Sequence, residues 1–108
     1  MSSFDRREEA FEKKFALDEE QKFKATARRN RKLGGWVAEQ IGLSGTEADA
    51  YAKSVVAADF EEAGDDDVFR KVRGDLDAKG KQDISDAEIR GKMDTLLLEA
   101  AAEIKAGN

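Results

Sequence analysis

The sequence contains no cysteine, no histidine and no proline in its 108 residues. Without cysteine the chain can form no disulfide, and it carries neither a thiolate nucleophile nor a thiolate metal ligand. Without histidine it lacks the commonest general base and the commonest protein ligand for a transition metal. The absence of proline fits a chain that is helical along most of its length, because proline interrupts helices. These absences argue against catalysis and against transition-metal binding.

Long apolar runs are also missing. No stretch approaches the roughly 20 consecutive apolar residues of a membrane-spanning helix, and the first residues mix acids with bases, unlike a signal peptide. The alternating pattern of strands and the short turns of hairpins do not occur. With 108 residues, of which 40% are charged, the chain is expected to be one small, soluble, intracellular domain.

The most informative stretch covers residues 4–33, which contain no glycine and no proline. Strong helix formers fill it, so a helix is predicted throughout. Its first part, residues 4–17, is too polar for a core, yet it keeps three phenylalanines on one narrow side of the helix: Phe4, Phe11 and Phe15. Two interpretations stay open, because these side chains either pack back on the remaining helices or form an arm that docks on a partner.

The second part of this helix, residues 18–41, has a broader apolar side that is expected to pack in a core. That side is formed by Phe23, Ala27, Val37 and Ile41. Two adjacent glycines, Gly34 and Gly35, each cost about 1 kcal/mol relative to alanine inside a helix. They either end the helix or allow a neighbouring helix to approach closely. Trp36 follows them and is expected to anchor the core.

Three more helices are predicted after Gly42, a residue suited to the end of a helix. They begin near Ser44 or Thr46, at Asp65, and at Ser85, where Glu88 completes a capping box. Four helices with short loops favour an antiparallel bundle. The predicted fold is therefore all-α: a four-helix bundle over residues 18–108, with a long N-terminal helix whose first part, residues 1–17, is a loosely ordered arm.

The net charge of −5 conceals an asymmetry. Residues 1–32 hold ten Lys/Arg and seven Asp/Glu, a net +3, and the remainder hold nine and seventeen, a net −8. The basic excess lies in one run: Lys22, Lys24, Arg28, Arg29, Arg31 and Lys32. The acidic excess lies in another: Asp59, Glu61, Glu62, Asp65, Asp66 and Asp67. Either these two surfaces meet within the fold or are solvated, or the basic run faces an acidic partner.

Several ligand and catalytic motifs fail on inspection. Residues 75–86 only partly match a calcium loop, because Lys79 occupies a ligand position and the twelfth residue is Asp86 rather than glutamate. The acids at residues 65–67 are explained by a helix N-terminus. No glycine-rich phosphate loop and no carboxylate pair in an apolar setting is present. We therefore predict no catalytic residue, no metal and no cofactor.

The basic run does not predict nucleic-acid or membrane binding either. It lacks aromatic residues at base-stacking spacing, and the whole chain is acidic, whereas nucleic-acid-binding domains are usually basic. The acids interleaved along the phenylalanine segment would be repelled by anionic headgroups, so direct membrane insertion is not expected. On pattern alone, packing on the bundle and docking on a protein partner remain equally good explanations of the aromatic side on this polar helix.

Four segments resemble a known family. They are FDRREEAFEKKFALDEEQKFK from Phe4, ARRNRKLGGW from Ala27, GDDDVFRK from Gly64 and IRGKM from Ile89. Together they are similar to the zeta-subunit family, small ATPase inhibitor proteins of alphaproteobacterial F-type ATP synthases. The resemblance implies a regulatory, non-enzymatic four-helix bundle. It also implies a cytoplasmic protein that lies at the cytoplasmic face of the inner membrane when bound to the synthase.

The resemblance further implies that the arm inserts at a catalytic α/β interface beside the γ stalk and blocks ATP hydrolysis. The expected apolar anchors are Phe4, Phe11 and Phe15. Polar contacts are expected from Asp5, Arg6, Arg7, Glu8, Glu12 and Lys14. Further along, contacts to the outer rim, or a brace to the acidic turn at residues 65–67, are expected from Lys22, Lys24, Arg28 and Arg29. The alternative is a non-enzymatic helical adaptor or ion-responsive regulatory domain that senses through its acidic loops.

Overall fold

The computed structural model describes residues 15–61 and 65–107, and these residues form four α-helices and no strand. The helices are α1 (Glu19–Gln40), α2 (Gly45–Glu61), α3 (Asp65–Ala78) and α4 (Asp86–Lys105). Helix α1 packs most extensively against α2 and α4, and α3 packs mainly on α2. The predicted all-α four-helix bundle is confirmed. None of the helices in the described ranges is long and apolar enough to cross a membrane.

Helix α1 begins with its own cap. The Asp18 side chain accepts a hydrogen bond from the Gln21 amide at 2.8 Å, and the Gln21 side chain accepts one from the Asp18 amide at 3.1 Å. This reciprocal pair satisfies two amides that the first helical turn leaves without partners. The helix predicted to run through residues 4–41 therefore has a break before Glu19, and its second part starts as a separate element.

The close contact between α1 and α2 depends on Gly34. Helix α1 continues through both glycines, so of the two predicted roles the close approach is the one observed. A Cβ atom added at Gly34 would lie 2.6 Å from the Ala52 Cα atom, whereas one added at Gly35 would meet nothing within 4 Å. Only the first glycine is required by packing.

The main core joins all four helices. Its buried members are Leu33, Val37, Val55, Val68, Val72, Leu76, Ile84, Ile89, Met93 and Leu96, with Trp36 and Phe69 half-buried against them. The prediction for Phe23 is wrong, because its side chain is 60% exposed. Phe23 lies two residues from the buried Ala25, which places it about 200° around the helix, on the opposite side.

The helix ends follow the expected local chemistry. Gly42 has a φ of 79° directly after α1, a left-handed conformation that glycine adopts without steric cost. The Ser85 hydroxyl accepts a hydrogen bond from the Glu88 amide at 3.0 Å and caps α4. Asp65 is the first residue of α3, and its carboxylate is directed inward instead of remaining at the surface.

Candidate partner-binding surface

The predicted contact residues fall into two groups. Phe4, Asp5, Arg6, Arg7, Glu8, Phe11, Glu12 and Lys14 lie outside the described residues. The other five, which are described, are Phe15, Lys22, Lys24, Arg28 and Arg29. Phe15 lies four residues before α1, and the other four lie along its first three turns. The structure therefore defines the root of the predicted arm and the basic surface that follows it.

The root of the arm is seated on the bundle by Leu17. Its side chain is 8% exposed and packs in a small apolar cluster with the fully buried Ala25 and Ala101. Phe15 packs against the same cluster and is half-buried. Full burial of a leucine contributes roughly 1.5–3 kcal/mol, so this seat fixes where the preceding segment leaves the bundle. In the described structure, the apolar side chain of Phe15 therefore packs on the bundle.

Ala16, between these two residues, has an unusual backbone. Its φ is 49°, and it is the only residue other than glycine with positive φ in the described ranges. The left-handed conformation costs an alanine roughly 1–2 kcal/mol, because its Cβ atom approaches the following carbonyl oxygen. The bend at Ala16 therefore persists against its own steric cost, held by the Leu17 contacts and the Asp18 cap.

Two residues of the basic run are paired with the end of α4. Lys32 Nζ lies 2.6 Å from Glu99 Oε1 and 2.8 Å from Glu103 Oε2, and Arg28 lies 3.1 Å from Glu103. The hydrogen bond from Lys32 lowers the pKa of the Glu103 carboxyl, and the bond to Glu103 raises the pKa of Lys32. These pairs connect α1 with α4 next to the Leu17 seat.

Arg29 occupies a different environment, inside the bundle. It is 1% exposed and donates to both oxygens of the Asp65 carboxylate, at 2.5 Å and 3.3 Å. Its Nε atom donates to the Asn30 side chain at 2.7 Å. Of the two roles expected for Arg29, the brace to the acidic turn is the one observed. A side chain this buried presents no charge to a partner.

A second carboxylate, Asp59 on α2, completes this polar cluster. Burial raises the pKa of the Asp59 carboxyl above its usual value, and nearby Arg29 opposes the shift. Asp65 raises the same pKa further, whereas the Asn30 side chain favours the charged form. The cluster thus holds two carboxylates around one guanidinium. Its chemistry is that of a structural brace between α1, α2 and α3.

The remaining basic residues of the predicted surface stay near water. Lys24 has a 58% exposed side chain, 3.2 Å from Glu20, and Lys22 lies 3.1 Å from Glu19. Together with the exposed Phe23, they form a mixed apolar and charged surface on the first turns of α1. This surface adjoins the root of the arm.

The acidic side chains that the structure describes do not form a metal site. Among the described residues, no group of three or more acidic side chains is placed to hold an ion. Asp75 accepts a hydrogen bond from the Tyr51 hydroxyl at 2.7 Å and pairs with Lys71 at 3.1 Å, and Asp77 pairs with Arg73 at 2.7 Å. The two aspartates that most resemble calcium ligands therefore already bind side chains of the protein, which favours a structural role for them.

Sequence reasoning missed the two features that define the root. The series Asp18-Glu19-Glu20-Gln21 has the spacing of a capping box, the same signal that identified Ser85 and Glu88. It was hidden by the high helix propensity on both sides. Leu17 gave no comparable signal, because its seat is formed by Ala101, more than 80 residues further along the chain.

Comparison with known proteins gives consistent results. A family model described as ATPase inhibitor subunit zeta matches residues 1–103. A protein whose structure was determined by solution NMR is 53% identical, and the two structures superpose with a TM-score of 0.69. That alignment covers 80% of this chain and 96% of the other chain. Comparison with curated proteins gives no match.

Proposed function

Because this chain belongs to the ATPase inhibitor subunit zeta family, we propose that it binds an F-type ATP synthase and inhibits ATP hydrolysis. The match of the family model over residues 1–103 is the observation that carries this proposal. The role is regulatory and non-catalytic, and it requires no cofactor. The partner places the protein in the cytoplasm, at the cytoplasmic face of the inner membrane when it is bound.

The proposed mechanism assigns the inhibition to the arm, residues 1–17. The arm inserts at a catalytic α/β interface beside the γ stalk and stops rotation in the hydrolysis direction. Phe4, Phe11 and Phe15 are the apolar anchors, since a few aromatic side chains usually carry most of the energy of an interface. Polar contacts come from the charged residues between them: Asp5, Arg6, Arg7, Glu8, Glu12 and Lys14.

The described residues support a division between arm and bundle. The Asp18 cap is closed by Gln21, so α1 needs nothing from the preceding segment in order to begin. Leu17 fixes the exit point of that segment beside α4. The bundle then acts as a carrier that sets the position and reach of the arm. The boundary falls at residue 17, with Phe15 and Leu17 as the seat that joins the two parts.

The basic side chains of α1 divide their roles. Arg28, Arg29 and Lys32 are paired within the bundle, so they hold its helices together. Lys22 and Lys24 lie on the first turns of α1, next to the arm. In this proposal they contact the outer rim of the enzyme. Exposed pairs such as Lys24 with Glu20 are weak, typically 0–1 kcal/mol, and are readily exchanged for a partner's carboxylate.

Inhibition by this route needs no chemistry from the chain. A protein that binds one rotational state of a motor more tightly than the others shifts the enzyme towards that state. The magnitude of the effect equals the difference in affinity between states. The proposal therefore concerns the complementarity of the arm to one conformation of the enzyme's catalytic interface.

The test is ATP hydrolysis by the purified cognate F-type ATPase, measured with the full chain and with a chain lacking residues 1–14. The structure selects this cut, because it removes most of the arm and keeps Leu17 and the Asp18 cap. Circular dichroism and urea unfolding are expected to show an intact bundle in the shortened chain. We expect inhibition by the full chain only.

The other outcomes separate two failures. If the full chain does not inhibit, the proposed function is wrong and the adaptor alternative replaces it. If both chains inhibit equally, the function stands but the arm is not the inhibitory element. In that case the docking surface lies on the bundle, and Lys22→Glu with Lys24→Glu would be expected to abolish inhibition.

A further inference from the structure

The bend at residues 16–18 opposes the helix propensity of the sequence around it. Residues 4–33 contain no glycine or proline, and alanine is the residue that most favours a helix. Yet Ala16 has a φ of 49°, a conformation in which alanine is sterically strained. Phe15 before it and Glu19 after it both have helical backbone. A turn that the local sequence disfavours thus lies directly before α1.

Two interactions hold this turn in the described structure. Leu17 is seated against Ala25 and Ala101, and the Asp18 carboxylate accepts from the Gln21 amide at 2.8 Å. Asp18 can cap α1 only while its own backbone is extended, as its ψ of 175° shows. Continuing the helix through Asp18 would break this cap and release the strain at Ala16. The cap and the continuous helix are therefore mutually exclusive states.

We propose that Ala16, Leu17 and Asp18 form a two-state joint, bent in the free chain and straightened into one continuous α-helix when the arm is docked. This inference rests on the proposed function, and it adds to it a named element that couples docking to the shape of the chain. Two conformations of similar free energy are the condition under which a partner can shift one into the other.

Straightening has a defined geometric result. An α-helix has 3.6 residues per turn, so residues that are roughly 18 positions apart point in the same direction. In the straight state Phe11 and Phe15 align with Arg29 and Leu33, which face the interior of the bundle. The joint would then present the phenylalanines in line with the buried side of α1, as one rigid extension of the helix.

A distance measurement tests this shape directly. The chain has no cysteine, so Ala10→Cys with Glu39→Cys gives two spin-labelling sites and no others. At a rise of 1.5 Å per residue, one continuous helix separates these positions by about 44 Å. Electron–electron double resonance is expected to give a shorter distance in the free chain and about 44 Å with the purified F-type ATPase added. An unchanged distance on binding would overturn the joint.

Two substitutions bias the joint in opposite directions. Ala16→Gly removes the strain of the turn and weakens the continuous helix, so it favours the bent state. We expect roughly tenfold weaker inhibition from this variant. Asp18→Ala removes the cap of the bent state, and we expect inhibition to strengthen about threefold to fivefold. Matched controls are Ala50→Gly and Asp49→Ala, which make the same changes at exposed positions of α2.

The two variants are expected to change inhibition in opposite directions, and this difference in sign is the test of the proposal. A merely structural role for the segment predicts that both variants weaken inhibition, and that result would overturn the proposal. Equal effects from the α2 controls would overturn it as well. A general loss of folding is excluded by recording the amide spectrum of each variant.

A measurement on the free chain separates this inference from the proposed function. In NMR spectra, Asp18→Ala is expected to move the Cα chemical shifts of residues 16–18 towards helical values, and Ala16→Gly is not. If the full chain fails to inhibit but these shifts move as expected, the proposed function is wrong and the joint is two-state in the free chain. If the Cα chemical shifts do not move in Asp18→Ala, the proposal of a two-state joint is wrong, whether or not the full chain inhibits.

Discussion

The Arg29 guanidinium on α1 donates to both carboxylate oxygens of Asp65, the first residue of α3, and both side chains are almost completely buried. Asp65 follows residues 62–64, which connect α2 with α3 in the sequence. The pair therefore attaches the start of α3 to the central helix of the bundle. The stability that this pair contributes depends on the presence of both partners, because a buried charge without a counter-charge is strongly destabilising.

The Arg29→Met variant should unfold much more easily than the unchanged protein. The change leaves the Asp65 carboxylate buried without a cation, and we expect the free energy of unfolding to fall by about 3–5 kcal/mol. Urea unfolding followed by circular dichroism measures this loss. Arg31→Met is the matched control, since Arg31 is exposed on the same helix, and we expect a change within about 0.5 kcal/mol. Equal losses in both variants would contradict the brace.

Asp59 should make stability depend on pH in the direction opposite to an ordinary ion pair. Burial raises the pKa of its carboxyl in the folded state, so the folded protein binds a proton more readily than the unfolded chain. Its contribution to stability is fully present below the pKa of the unfolded chain and is lost as pH rises through the folded pKa. Asp59→Asn removes this dependence.

The comparison of the Asp59→Asn variant with the unchanged chain isolates that contribution. At pH 7 we expect the variant to unfold at a higher urea concentration, and near pH 4 we expect the two to converge. Carboxyls that do not interact with Asp59, such as Glu103 with its lowered pKa, act on both chains and cancel in the difference. Asp49→Asn, at an exposed position of α2, serves as the control. A variant that is less stable at pH 7 would show that the charged form of Asp59 is favoured by folding.

The two adjacent glycines of α1 should respond oppositely to alanine. Gly34→Ala places a Cβ atom 2.6 Å from the Ala52 Cα atom, so α1 and α2 must separate, at a cost of about 1–3 kcal/mol. Gly35→Ala meets nothing within 4 Å and gains helix propensity, which should stabilise the protein by up to about 1 kcal/mol. Thermal unfolding of the two variants provides the measurement. A loss at both positions would mean that the surface at Gly35 is also covered.

The Ser85 cap should account for a measurable share of the stability of α4. Ser85→Ala removes the acceptor for the Glu88 amide, and we expect a loss of about 1 kcal/mol in urea unfolding. Ser85→Asn supplies another acceptor at the same position and should lose only a few tenths. Hydrogen exchange at the Glu88 amide should quicken in the alanine variant alone. Equal exchange in both variants would assign its protection to packing rather than to the hydroxyl.

Local chemical signals predicted the helix ends well, because capping and left-handed glycines act within a few residues. Gly42 and Ser85 were identified on this basis, and both have the expected geometry. Long-range features were not accessible in the same way. The sequence allowed two roles for Gly34, a helix end or a close approach by a neighbouring helix. It could not identify Ala52 as the neighbour, because Ala52 lies in a different helix.

The error at Phe23 has a specific cause. The buried row of α1 runs through Ala25, Arg29, Leu33 and Val37, spaced four residues apart. Arg29 interrupts the apolar pattern of that row and made it look like part of a basic surface. Arg29 belongs to the buried row because Asp65 neutralises its charge inside the bundle. When Arg29 is counted as buried, the row is continuous and Phe23 lies on the other side of the helix.

Because the Asp18 cap is closed within one turn of α1, the start of this helix is stabilised by its own residues. An arm of another length or composition could be grafted ahead of this point without altering how the four helices assemble. In the proposed division of roles, the arm determines inhibition and the bundle determines stability. A hybrid that joins the bundle of one relative to the arm of another should fold as the bundle does and inhibit as the arm does.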